Sequence, residues 1–290
     1  MTNYLKRLAP VLMMGLVVFV ISACSNGSNN SNEASDKSSE KQPTAWEEIQ
    51  DEGKLVVATS GTLYPTSYYE EGSDHVTGYE VEVVREMAKR LDLDVEFEEM
   101  GFDGMLTSIN SGKVDLAAND ITITDERKEK FAFSEPVKYS YGTAIVRKDD
   151  LSGIKSLDDL EGKKAAGAST TIYMKVAREN GAEEVIYDNA TNEQYLRDVS
   201  NGRTDIILND YYLQTLALAA FPDLNITIHP DIKYYPNNQA IVMKKDSGEL
   251  ETKVNETLKE MKEDGTLKEL SEKFFNGANV SVKPDVDIKE

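Results

Sequence analysis

The chain has 290 residues, 52 acidic against 32 basic, for a formal charge of −20. That charge repels phosphate backbones and anionic headgroups, so nucleic acid is not an expected partner, and it leaves the sign of any pocket open. A single cysteine excludes an internal disulfide, and two distant histidines offer no metal-ligand spacing, so neither metal nor other cofactor is expected.

Lys6 and Arg7 precede an apolar stretch from Val11 to Ile21, which closes on Ile21-Ser22-Ala23-Cys24. A basic start, a short apolar core and small residues before a cysteine read as a signal peptide over 1–23 with a lipobox, and Cys24 is placed for lipidation. Residues 24–45 are rich in Ser, Asn, Glu and Lys, which cannot offset their chain entropy by packing. They read as a flexible tether for a lipid-anchored body on the extracytoplasmic face of the cell membrane. No later apolar run is long enough to span a bilayer.

From Leu55 the pattern alternates. A strand over 55–59 is followed by a helix over 80–91, whose Val83, Val84, Met87, Ala88 and Leu91 share one face. A strand over 95–98, a helix over 103–110 and a strand over 114–118 continue it. Alternation at this spacing predicts an α/β fold with parallel pairing.

The next stretch, AANDITITDERKEKFAFSEP over 117–136, carries the chemistry. An apolar run ends in Asn119 and Asp120, hydroxyls follow at Thr122 and Thr124, and Arg127 opens a charged helical turn. A guanidinium fork matches a carboxylate with two parallel hydrogen bonds, and a nearby hydroxyl supplies a third. Here the chain resembles the extracytoplasmic solute-binding proteins of family 3, the amino-acid receptors of ABC importers. The resemblance implies a two-lobed, type II periplasmic-binding-protein-like fold with two connecting hinge strands, a monomer that hands its ligand to a membrane permease. It also implies that Arg127 clamps the ligand's α-carboxylate with help from Thr122. Lobe one would comprise 46–140 and 237–279, lobe two 141–236, and 280–290 a C-terminal tail.

In the second half, strands over 164–167, 184–187 and 205–208 alternate with helices over 171–180 and 193–201. Ser111-Gly112 and Asn201-Gly202 each stop a helix just before an aspartate-bearing strand, an echo that suggests two similarly built lobes. Ala168-Ser169-Thr170-Thr171 opens a helix, where free N–H groups favour an anion. By resemblance, Thr170 or Thr171 contacts the carboxylate from the side opposite Arg127, unless the hydroxyl only caps the helix. Asp210 ends a strand at an open edge. By resemblance it takes the α-ammonium; the alternative is an N-cap for the helix over 211–219, and the two roles do not exclude each other.

Specificity rests on fewer residues. Ser60 stands where similar receptors for cationic amino acids carry an acid, which argues against Lys or Arg as ligand. Tyr64, Tyr68, Tyr139 and Tyr141 are candidates to wall the pocket, each equally plausible as packed scaffold. Asp120 stands where many relatives have a small residue, so it needs a cation, either the α-ammonium or a second ammonium on the ligand, unless it only caps a turn. Asn119-Asp120-Ile121-Thr122 also resembles the motif of cystine receptors. A polar amino acid, with cystine first, is therefore expected. The rival is an enzyme on the same fold, such as a cyclohexadienyl or prephenate-type dehydratase with Asp120 as general acid.

Overall fold

The computed structural model describes residues 43–187, 190–286 and 288. The expected signal peptide, Cys24 and nearly all of the expected tether lie outside the described residues. Thr44 opens α1 (Ala45–Glu52) with a reciprocal cap, its hydroxyl accepting from Glu47 N–H while Glu47 accepts from Thr44 N–H. The chain then runs through β1 (Lys54–Thr59), β2 (Tyr68–Tyr69), β3 (Val76–Thr77), α2 (Tyr79–Arg90), β4 (Asp94–Glu99), α3 (Phe102–Ser111), β5 (Leu116–Ala117), α4 (Asp125–Lys130) and β6 (Phe131–Phe133). Next come β7 (Lys138–Arg147), β8 (Lys164–Gly167), α5 (Ile172–Glu179), β9 (Glu183–Ile186), α6 (Asn192–Ser200), β10 (Ile207–Asp210) and α7 (Tyr211–Ala220). β11 (Ile226–Gln239), β12 (Val242–Lys244), α8 (Glu249–Glu263) and α9 (Thr266–Phe274) complete the order.

Two lobes result, each a sheet between helices. The first sheet has the order β4-β1-β5-β12-β6. Leu55 and Val57 of β1 pack with Val83, Val84 and Met87 of α2 and with Val254 and Leu258 of α8. On the opposite face, Met105 and Ile109 of α3 pack with Ala58, Ala117 and Val242. In the second lobe β10-β7-β11 form one sheet, and β8 pairs with β9 while bridging to Ile206 beside β10. Alternation along β7 sends Ala144 and Val146 to one core and Ile145 to another.

Parallel pairing holds for β4-β1-β5 and for β8-β9, but β7, β10, β11 and β12 pair antiparallel. Strand–helix alternation fixes direction only between strands joined by a crossover. β7 and β11 instead arrive as long strands from the other lobe, and both run through the crossing, with Ser140 opposite Asn237 and Tyr141 opposite Pro236. The echoed aspartates share a local role: Asp115 accepts from Val56 N–H at 2.8 Å, and Asp205 accepts from Lys164 N–H at 3.0 Å, each tying its own loop to a neighbouring strand, while Asp205 also pairs with Arg147 at 3.2 Å.

Candidate functional site

Between the lobes lies a cavity of about 110 Å³, bordered by Ser60, Phe102, Asp120 and Arg127 from the first and by Thr171 and Asn209 among others from the second. A water needs about 10–15 Å³ by the same measure, so the cavity admits a small molecule. Its aromatic walls are Phe102, Tyr173, Tyr187 and Tyr195.

Arg127 sits in the first turn of α4, whose N-cap Thr124 accepts from Arg127 N–H at 3.1 Å. Arg127 is 9 % exposed, and its guanidinium lies 5.6 Å over the Phe102 ring. Nη1 donates to Thr122 O at 2.8 Å and Nη2 to Thr170 O at 2.9 Å, so the one side chain touches both lobes. Burial pulls its pKa below the ordinary value, yet an arginine stays charged in proteins. Of its five N–H donors, those two bonds use two. The fork therefore retains donors for an anion.

Asp120 also borders the cavity, in a left-handed conformation at φ 58°. Aspartate tolerates that region better than most residues. The turn is held by Glu80 of α2, whose Oε2 accepts from Asp120 N–H at 3.0 Å. Glu80 is fully buried, and its Oε1 has no hydrogen-bond partner among the described residues. Burial first, then the Asp120 charge, pushes the Glu80 carboxyl up to about 8, so it is largely neutral at pH 7.

Asp120 has a cation beside it within the protein. Lys138, the first residue of β7 and 0 % exposed, places Nζ 2.6 Å from Asp120 Oδ1 and 2.9 Å from Asp210 Oδ2. Burial disfavours the ammonium, but the two carboxylates outweigh it and its pKa is raised. Burial likewise lifts Asp120 to about 6 against the pull of Lys138. Sequence reading missed Lys138. Its signal was a lysine in phase with Ala144 and Val146, on a strand face that is otherwise buried.

Asp210 does not border the cavity. Its Oδ1 accepts from Leu213 N–H at 3.0 Å, capping α7, while Oδ2 meets Lys138 and lies 3.5 Å from Gln239 Nε2. Of the two carboxylates, Asp120 is the one that faces the cavity. Thr171 borders the cavity, but its hydroxyl accepts from Met174 N–H at 3.1 Å as N-cap of α5. Thr170 lies outside the lining, held by Asp103 of α3, whose carboxylate accepts from Thr170 N–H at 3.0 Å, Thr170 Oγ1 at 2.5 Å and Ser169 Oγ at 2.8 Å. Those bonds cross between the lobes.

Tyr64 lies elsewhere than expected. It packs edge-on to Tyr68 at 4.8 Å beside a neighbouring cavity, because its loop turns back where Tyr79 N–H donates to Pro65 O. Tyr141 stacks on Tyr211, and Tyr139 faces a different cavity again. The tyrosines that line the cavity come instead from the second lobe, opposite Phe102 of the first. Among the described residues no cluster has the makings of a metal site.

The model of the bacterial extracellular solute-binding proteins, family 3, matches residues 55–277. The chain is 66 % identical to a probable ABC transporter extracellular-binding protein, YckB, of Bacillus subtilis, over all of this chain and 99 % of that one. The crystal structure of YckB is similar, with a TM-score of 0.68, covering 84 % of this chain and 98 % of that one at 74 % identity. The L-cystine-binding protein TcyA of B. subtilis is 36 % identical over 96 % of this chain and all of that one. The crystal structure of AbpA from Streptococcus pneumoniae bound to L-arginine has a TM-score of 0.72, at 30 % identity over 82 % of this chain and 100 % of that one. The relatives are named as binding proteins, so the dehydratase alternative is set aside. The chain is no enzyme but an extracytoplasmic binding protein, and it belongs to the bacterial extracellular solute-binding proteins, family 3.

Proposed function

We propose that the chain is the amino-acid receptor of an ABC importer, a monomer anchored through lipidated Cys24, which closes on a polar amino acid and presents it to a membrane permease. L-Cystine is the leading single ligand. One observation carries this reading: Arg127 and Asp120 border the same cavity, and residues of both lobes close it. A guanidinium and a carboxylate across one small space suit the two poles of a zwitterion, Arg127 for the α-carboxylate and the Asp120–Asp210 cluster for the α-ammonium. Such charge-assisted bonds contribute about 1.5–3 kcal/mol each. Thr122 and Thr171 flank the carboxylate end, and Thr170 carries the backbone carbonyl that orients Arg127.

Cystine draws support from TcyA, and the absence of an acid at Ser60 speaks against cationic side chains. Split contacts supply the drive for closure, since a ligand shifts a conformational equilibrium only by its difference in affinity for the two states. A thermal-shift screen of the common amino acids and cystine tests the reading. A bound ligand raises the unfolding temperature by mass action, and a screen in which none does so refutes it.

A further inference from the structure

The acid cluster already contains an ammonium. Asp120 comes from the first lobe, Asp210 from the second and Lys138 from the strand that joins them, with Nζ within 2.9 Å of both carboxylates. Lys138 and Asp210 are wholly buried and only Asp120 borders the cavity. Packed around Nζ are the Phe275 ring at 5.7 Å, Tyr212 and the largely neutral Glu80. Two carboxylates and one ammonium leave the cluster a single negative charge, which one ligand ammonium neutralises. A second cation brought to it would meet Lys138 as a like charge in a low-dielectric site, where such interactions are least screened.

We propose that Lys138 is a specificity-determining residue: its ammonium occupies the place of a ligand's second cation, so the cleft accepts guests with one ammonium and rejects those carrying another close to it. This rests on the receptor reading and narrows it. Cystine's distant amino-acid end must then lie away from Asp120.

The test compares L-homoserine with L-2,4-diaminobutyrate, which are similar in size but carry one and two ammonium groups. By calorimetry the wild type favours homoserine, and Lys138→Met, which leaves the cluster doubly negative, shifts the ratio of dissociation constants toward the diamine by about tenfold or more. A ratio unmoved by Lys138→Met overturns the inference.

Lys138→Ala provides a readout independent of the ligand. It leaves a gap for an amine between the two acids, so methylammonium raises its unfolding temperature, tetramethylammonium at equal ionic strength does not, and the wild type responds to neither. No response of Lys138→Ala to methylammonium overturns the inference as well. If the wild type binds no amino acid but Lys138→Ala does respond, the receptor reading fails while the assignment of Lys138 to a cation site stands.

Discussion

Arg127 does two things with one group, since its two side-chain bonds end on carbonyls of different lobes, Thr122 O and Thr170 O. On the proposed reading, its loss removes the partner of the ligand's carboxylate together with a tie between the lobes. Arg127→Ala is expected to weaken the best ligand of the screen by more than about tenfold, because a buried charge left unpaired costs more than its bond contributed. Lysine offers a point charge in place of a planar fork, so Arg127→Lys restores only part of the affinity. Calorimetry on both variants decides, and unchanged affinity in the alanine variant removes Arg127 from the site. This residue was legible in the sequence because its local neighbours, Thr122 and Thr124, announce it. Lys138 was not, since its partners stand 18 residues before it and 72 after it (138 − 120 and 210 − 138), and only the path of β7 brings them together.

At the scale of elements, the α2–β5 junction has a definite pH response. Glu80 of α2 holds the turn at Asp120 as a largely neutral carboxyl, with its folded-state pKa raised from 4.5 to about 8. Stability from this neutral burial is fully present below pH 4.5 and is lost as pH rises through 8, where the folded state must give up the proton it holds. Asp120 adds a change of the same sign between 3.8 and about 6. Glu80→Gln keeps an acceptor for Asp120 N–H and has no proton to lose. Its unfolding temperature should therefore climb relative to wild type across that window, by about 2–4 °C for each kcal/mol involved. Parallel curves for the two proteins would refute the assignment.

The hinge has its own sensitive point in Gly142 of β7, where an added Cβ would lie 2.5 Å from the Tyr234 ring of β11. Overpacking of this kind costs about 1–3 kcal/mol, so Gly142→Ala should lower the denaturant midpoint without altering the slope. Helices and strands at this scale were largely legible, because α2 and α3 show their apolar faces in the sequence. The direction of β7, β10, β11 and β12 was not, since periodicity along one strand carries no sign.

For the whole molecule the question is what holds the lobes together. Three bonds to Asp103 tie α3 of the first lobe to the Ser169-Thr170 turn of the second, and Arg127 adds one more through Thr170 O. Burial alone would raise the Asp103 carboxyl, but the bonds from Thr170 and Ser169 outweigh it and hold its pKa below the ordinary value. The nearby Lys175–Glu126 pair, 3.8 Å apart and more than half exposed, adds little. Asp103 is thus placed to tie the lobes before any ligand contact is counted, and the expected consequence is a bias toward closure. If only a fraction of molecules is closed, apparent affinity falls by that fraction. Asp103→Ala should enlarge the radius of gyration of the unliganded protein in X-ray scattering, weaken the ligand of the screen, and leave the liganded radius near that of wild type. Asp103→Asn, which can accept some of the bonds, should fall between. Acidification below the ordinary aspartate range should mimic the alanine variant in the wild type, because the protonated carboxyl no longer accepts all three bonds. A radius that does not change on substitution would place the control of closure elsewhere, in the β7–β11 crossing.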